Sequence, residues 1–212
     1  MGTLRNIGVL GGMGPEATVL FMQRMIASIE ATDDRDHIPL LVDSNTQVPS
    51  RIDAILNGTG KNPGPTLKAM AQRLENAGAE ALAMPCNTAH HFASMIEGAV
   101  SIPFLNMVDL SIQSAALELG EGGRIGVLGS PALRVTGVFE GAAENHHLKL
   151  LYPEDEETLV AIIKDVKSRG PSAWATAHLS TIAAQLVEEG AELVMVCCSE
   201  FSLLAEKIHC NA

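Results

Sequence analysis

Apolar residues along this chain fall into two alternating patterns. Short continuous runs at 7–10, 40–42, 81–84, 125–128 and 193–196 are rich in branched side chains and bounded by turn signals. Runs of this kind predict strands of a parallel sheet covered on both faces. Between them, 17–30, 66–77, 110–118, 156–168 and 173–189 carry apolar residues at three- and four-residue spacing, which predicts amphipathic helices. The alternation predicts an α/β layered fold with right-handed crossovers. The Gly/Pro/Asn stretch 57–65 and the short segment 119–123 read as connections.

The pattern also repeats. Gly78-Ala-Glu-Ala-Leu-Ala-Met-Pro-Cys86 lines up without gaps on Gly190-Ala-Glu-Leu-Val-Met-Val-Cys-Cys198. In the preceding helices Leu67, Ala71 and Leu74 fall on Leu179, Ala183 and Leu186, and Ile7-Gly-Val-Leu-Gly11 matches Ile125-Gly-Val-Leu-Gly129. Self-similarity in the same order at nearly the same spacing is the mark of a duplication. It predicts two pseudosymmetric three-layer α/β halves with parallel sheets, 1–102 and 103–212, each carrying one candidate cysteine. The active site is expected in the cleft between them.

Composition narrows the partners. The 212 residues are 47% hydrophobic and 18% charged, enough to bury a core. A net charge of −11 argues against nucleic acid or an anionic membrane, both of which need concentrated positive charge. Aromatic residues are only 3%, so base-stacking platforms are not expected. The amino-terminal Met-Gly-Thr-Leu-Arg-Asn has no signal-peptide pattern, and no apolar run approaches membrane-spanning length. The four cysteines, Cys86, Cys197, Cys198 and Cys210, are too few for a disulfide scaffold in a chain of this size. They read as reduced thiols of a cytoplasmic protein.

Cys86 and Cys198 each follow a strand and precede a helical pattern, the place where ligands bind in open α/β sheets. Polar residues after each can cap a helix, whose amino-terminal N–H groups favour a thiolate. Two equivalent thiols on opposite sides of one cleft suit a stereochemical inversion without a cofactor. One removes a proton from carbon while the other delivers a proton to the opposite face. Cys197 is expected to point to the other side of its strand, and Cys210 carries no chemical reading. No CxxC or Cys/His spacing supports a metal site. His90, four residues past Cys86, is a candidate site residue, and His91 a weaker one.

Gly11-Gly-Met-Gly-Pro-Glu-Ala-Thr18 follows the first strand and opens a helix, with Asp43 at the end of the next strand. This formally fits a dinucleotide fingerprint. Pro15 removes an N–H that a pyrophosphate would use, and Glu16 puts negative charge where phosphate would sit. Pro15 is better read as an ordinary first helical residue.

Three segments, Gly11-Gly-Met-Gly-Pro-Glu-Ala-Thr18, Met84-Pro-Cys-Asn-Thr-Ala-His90 and Cys198-Ser-Glu200, together resemble the aspartate/glutamate racemase family, in particular its aspartate racemase branch. The resemblance spans about residues 5–205. It implies an amino-acid racemase without cofactor, usually dimeric, with Cys86 and Cys198 as acid and base. Substrate-binding positions implied by it are Met13, Asn87, Thr88, Ser199 and Glu200, with Ser130 as a further hydrogen-bond donor. Arg51 and Lys167 resemble family residues that hold carboxylates, so a small acidic amino acid is the expected partner. Guanidinium–carboxylate pairing is bidentate, which suits Arg51 to that role.

Departures from the family pattern are Cys197 in place of Gly, Ser50 in place of Asp, and Leu133 near a usual hydroxyl. Relatives also carry a closing strand and helix after the position of Cys210-Asn-Ala212, so either the chain is truncated or one flank of the first half is open. Other reactions of the superfamily, hydantoin racemisation, maleate-type cis–trans isomerisation or decarboxylation, remain alternatives. A catalytically silent dicarboxylate-binding protein is another.

Overall fold

A computed structural model describes residues 4–208; Cys210 and the chain end lie outside the described residues. The chain divides into two compact units, Met1–Met107 and Val108–Ala212. The first is built on strands β1 (Ile7–Gly11), β2 (Leu40–Ser44), β3 (Ala81–Ala83) and β4 (Phe104–Leu105), all parallel in the order β2-β1-β3-β4. Its helices are α1 (Pro15–Ala27), α2 (Arg51–Ile55), α3 (Gly64–Asn76) and α4 (Ala93–Glu97). Pairing of β4 with β3 explains why this unit extends to Met107. Two residues between Pro103 and Asn106 are too few to show a periodicity.

Helix α5 (Met107–Leu119) opens the second unit and buries Val108, Ile112 and Ala115 in its core. There follow β5 (Arg124–Leu128), α6 (Ala132–Thr136), α7 (Glu140–Asn145), β6 (Lys149–Leu151), α8 (Glu156–Arg169), α9 (Ala173–Glu188), β7 (Leu193–Val196) and α10 (Ser199–Ser202). The sheet is again parallel, in the order β6-β5-β7. Asp155 and Ser172 start α8 and α9 by accepting the N–H groups of Thr158 and Ala175 at 3.0 Å each.

The sequence repeat is present in three dimensions. Ile7 lies opposite Ala81 and Gly8 opposite Leu82; Ile125 lies opposite Leu193 and Gly126 opposite Val194. Leu67, Ala71 and Leu74 are buried in α3, as Leu179, Ala183 and Leu186 are in α9. A Cβ on Gly8 would meet Leu74 Cβ at 3.1 Å and Ala79 Cβ at 2.9 Å. On Gly126 it would meet Leu186 Cβ at 3.1 Å and Ala191 Cβ at 3.2 Å, the equivalent pair. In both units, then, a glycine lets the crossover helix approach the first strand.

Among the described residues, the five long helices and five of the seven strands stand where the apolar pattern put them. Full coverage of the strands is corrected at the sheet edges. In β2, Leu40, Leu41 and Asp43 are half-buried while Val42, at 36%, and Ser44 are exposed, and all four residues of β7 are half-buried. Each of these strands has a neighbour on one side only among the described residues. Among the described residues, no helix is long and apolar enough to cross a membrane.

Candidate active site

In the first unit, Cys86 sits two residues beyond Met84 at the carboxyl end of β3 and is buried. Its N–H donates to Met84 O at 2.8 Å, and its carbonyl accepts from Ala89 N–H at 3.1 Å. A 3-10 turn, Asn87–Phe92, follows and runs into α4, so Asn87 and Thr88 are half-buried beside the thiol's backbone. His90 is buried within this turn: Nδ1 lies 2.9 Å from Cys86 O, and Met107 N–H donates to Nε2 at 3.2 Å. A carbonyl can only accept and an N–H can only donate, so the ring is neutral with its proton on Nδ1. The imidazole ties the Cys86 loop to the backbone of Met107, the last residue of the same unit. His91 is exposed, edge-on to Phe92.

The glycine loop after β1 is held from within. Thr18 Oγ1 accepts from Gly12 N–H at 2.8 Å and donates to Gly14 O at 3.1 Å. Asp43 is taken by Arg73, with Nη2 at 2.6 Å and Nε at 3.2 Å. An internally bonded loop N–H and an occupied carboxylate do not suit a dinucleotide, in line with the objection from Pro15 and Glu16. Met13 is buried and packs into the core of the first unit. Its carbonyl accepts from Arg51 Nη2 at 3.4 Å, while Arg51 Nη1 reaches Pro49 O at 3.1 Å. Arg51 Nε is buried with no hydrogen-bond partner. Ser50 caps α2 through Asp53 N–H at 3.2 Å, which fixes the start of the helix that carries Arg51.

In the second unit Cys198 lies beyond the end of β7 and immediately before α10, and is buried. Its Sγ–H donates to Glu200 Oε2 at 3.0 Å, and Ser199 Oγ donates to the same oxygen at 2.9 Å. Lys167 Nζ, from the last turn of α8, is 3.6 Å from Glu200 Oε1. Helix-terminal N–H groups do act on Cys198 as expected, from Glu200 and Phe201, but they are outweighed. Burial, and then the adjacent Glu200 carboxylate, push the thiol well above its ordinary range. The expectation of a thiolate favoured by the helix start is therefore corrected for Cys198 in this state.

Glu200 and Lys167 were expected to bind substrate, and here they face one another. Ser130 is buried beyond β5, its Oγ accepting from Ala132 N–H at 3.3 Å. Leu133 is fully buried against the Gly129 backbone and belongs to the core. Cys197 points into that same core, its Sγ–H donating to Met195 O at 3.2 Å. Burial pushes its thiol well up. None of Cys86, Cys197 and Cys198 is in a disulfide. Among the described residues, no group of three or more His, Cys, Asp or Glu side chains gathers to hold a metal.

Sequence reasoning missed the internal role of Thr18 and the contact between Glu200 and Cys198. The second had a signal, since an acid two residues past an N-capping position can turn back to it.

The profile of the Asp/Glu/hydantoin racemase family matches residues 10–212. The broad specificity amino-acid racemase RacX of Bacillus subtilis is 21% identical over 95% of this chain and 88% of its own. An aspartate racemase structure from Picrophilus torridus superposes with a TM-score of 0.79 at 23% identity, covering 94% of this chain and 83% of that one. A glutamate racemase from Bacillus anthracis gives a TM-score of 0.64 at 18% identity, covering 97% and 72%. At these identities the structures share the fold, and the match along nearly the whole chain gives the family: this protein belongs to the Asp/Glu/hydantoin racemases.

Proposed function

We propose that the protein interconverts the L and D forms of an acidic amino acid, aspartate or glutamate, without a cofactor, using Cys86 and Cys198 as acid and base. The observation that carries this reading is the equivalence of the two thiols. Each stands just past the carboxyl end of the strand that pairs with its unit's first strand, in the same register. In one direction the thiolate of one cysteine takes the α-proton, and the C–H electron pair stays on carbon. The thiol of the other then gives its proton to that pair from the opposite face. The reaction requires both thiols to reach a single α-carbon.

An α-proton is a very weak acid, so the site must stabilise the charge that develops. Arg51 suits this task. Three backbone carbonyls, of Val48, Pro49 and Met13, fix its guanidinium, and its buried Nε has no hydrogen-bond partner among the described residues. Asn87, Thr88, Ser199, Ser130 and the Met13 loop are proposed to hold the remaining polar groups of the substrate. A reducing cytoplasm and a homodimer complete the proposal; light scattering on the purified protein checks the latter.

The decisive experiment is α-proton exchange. Incubation with L-aspartate or L-glutamate in D2O should give deuterium at the α-carbon together with loss of optical rotation. No exchange from any acidic amino acid would sink the reading. Cys86→Ser and Cys198→Ser should each abolish racemisation, and a fully active single variant would refute the two-thiol scheme. A second reading, a wider amino-acid range, is favoured by the pairing of Lys167 with Glu200, which weakens the case for a second carboxylate grip. The similarity to RacX points the same way, and neutral amino acids in the same assay separate the two.

A further inference from the structure

Glu200 is buried, and its carboxylate is occupied by its own neighbours rather than turned outward for a ligand. Oε2 accepts from Cys198 Sγ–H at 3.0 Å and from Ser199 Oγ at 2.9 Å, while Oε1 faces Lys167 Nζ at 3.6 Å. Helix α8 packs against α10, and among the described residues its Lys167 is the charged group that faces this carboxylate. Asp165 of the same helix is held instead by Arg169 Nε at 2.7 Å and Ser172 Oγ at 2.5 Å. A buried anion with both oxygens engaged is a poor grip for an acidic substrate. It is well placed to exchange a proton with the thiol it touches.

We propose that Cys198 and Glu200 work as one proton-sharing pair, with the Lys167 ammonium as the neighbouring countercharge. This rests on the racemase reading and moves Glu200 and Lys167 from gripping substrate to serving proton transfer. When the pair acts as base, the thiol proton passes to Glu200 Oε2 and the S–H electron pair stays on sulfur. The thiolate then takes the α-proton, becoming a thiol again, and the C–H pair stays on carbon. In reverse, the thiol gives its proton to the carbon lone pair and the carboxylic acid of Glu200 returns one to sulfur. Glu200 thus acts through Cys198, as a positioning and proton-exchange residue.

Two effects of Glu200 oppose one another, and this makes the pair testable. Its negative charge resists formation of a thiolate alongside, so Glu200→Gln should let Cys198 ionise at lower pH. If charge were its whole effect, the variant would be faster. Proton sharing requires it to be slower despite the easier ionisation.

Thiolate ultraviolet absorbance is followed across pH as the difference between each protein and its Cys198→Ser counterpart. Turnover is measured on the acidic amino acid that the unsubstituted protein racemises. The expected result for Glu200→Gln is ionisation at lower pH with kcat down about a hundredfold. KM should stay within about threefold, and Glu200→Asp should restore part of the rate. A kcat that is unchanged or raised, a thiol titration that does not move, or a raised KM at constant kcat would overturn the proposal. The titration uses no substrate, so the coupling is read even if no acidic amino acid is turned over. That last result would bring down the racemase reading and the catalytic role of the pair together.

Discussion

Two buried side chains in this protein owe their positions to what they hold. Thr18 Oγ1 is the acceptor for Gly12 N–H in the first loop. Thr18→Val keeps the shape and strands that N–H, so it should lower unfolding free energy by about 1–3 kcal/mol, while Thr18→Ser stays near the parent. Chemical denaturation of the three proteins measures this. Cys197 makes the second case, through ionisation. Burial lifts its thiol above the ordinary value of 9.0, so the folded chain keeps a proton that the unfolded chain gives up. Stability is therefore fully present below that value and is lost as pH climbs from there toward the folded-state value. Melting temperatures taken through the alkaline range should fall, and Cys197→Ala should flatten the fall; an unchanged slope would show that other groups control it. Tyr152 contributes in the same direction, because burial and Glu140 push its hydroxyl up as well.

At the level of elements, glycines under the crossover helices set how closely each helix packs on its sheet. A Cβ on Gly8 would approach Leu82 Cδ2 to 2.7 Å and Ala79 Cβ to 2.9 Å, whereas on Gly126 the nearest atom is at 3.1 Å. Gly8→Ala should cost about 1–3 kcal/mol from overpacking and Gly126→Ala less. Equal melting points for the two variants would contradict this ordering. Apolar periodicity exposed α3, α5, α8 and α9 in the sequence because each buries a stripe, whereas α1 has the spacing but buries only Ala17 and Thr18. It could not reveal β4, only two residues long, or β6, which opens with the exposed Lys149. The thiols at 86 and 198 were legible because the repeat aligned them. What Glu200 does was hidden, since its contacts depend on the turn after β7 and on a lysine from another helix. His90 fell between these cases. Its spacing from Cys86 suggested a shared helical face, and its ring binds the Cys86 carbonyl and the first N–H of α5.

For the whole molecule, the two units have separate cores. Leu10, Leu67, Met70, Leu82 and Ile96 belong to one, and Ile112, Ile125, Val127, Leu133 and Phe139 to the other. A unit of about 100 residues with its own core and sheet is large enough to fold alone. Residues 1–107 expressed separately should unfold cooperatively by circular dichroism, and a featureless melt would show that they need the remainder of the chain. The paired glycines carry a consequence for what can vary. Gly8 lies against Leu74 and Ala79 as Gly126 lies against Leu186 and Ala191, so in each unit the first strand and its crossover helix limit one another by volume. A larger residue at either glycine calls for a smaller one on the facing helix, and that coupling does not involve the two thiols.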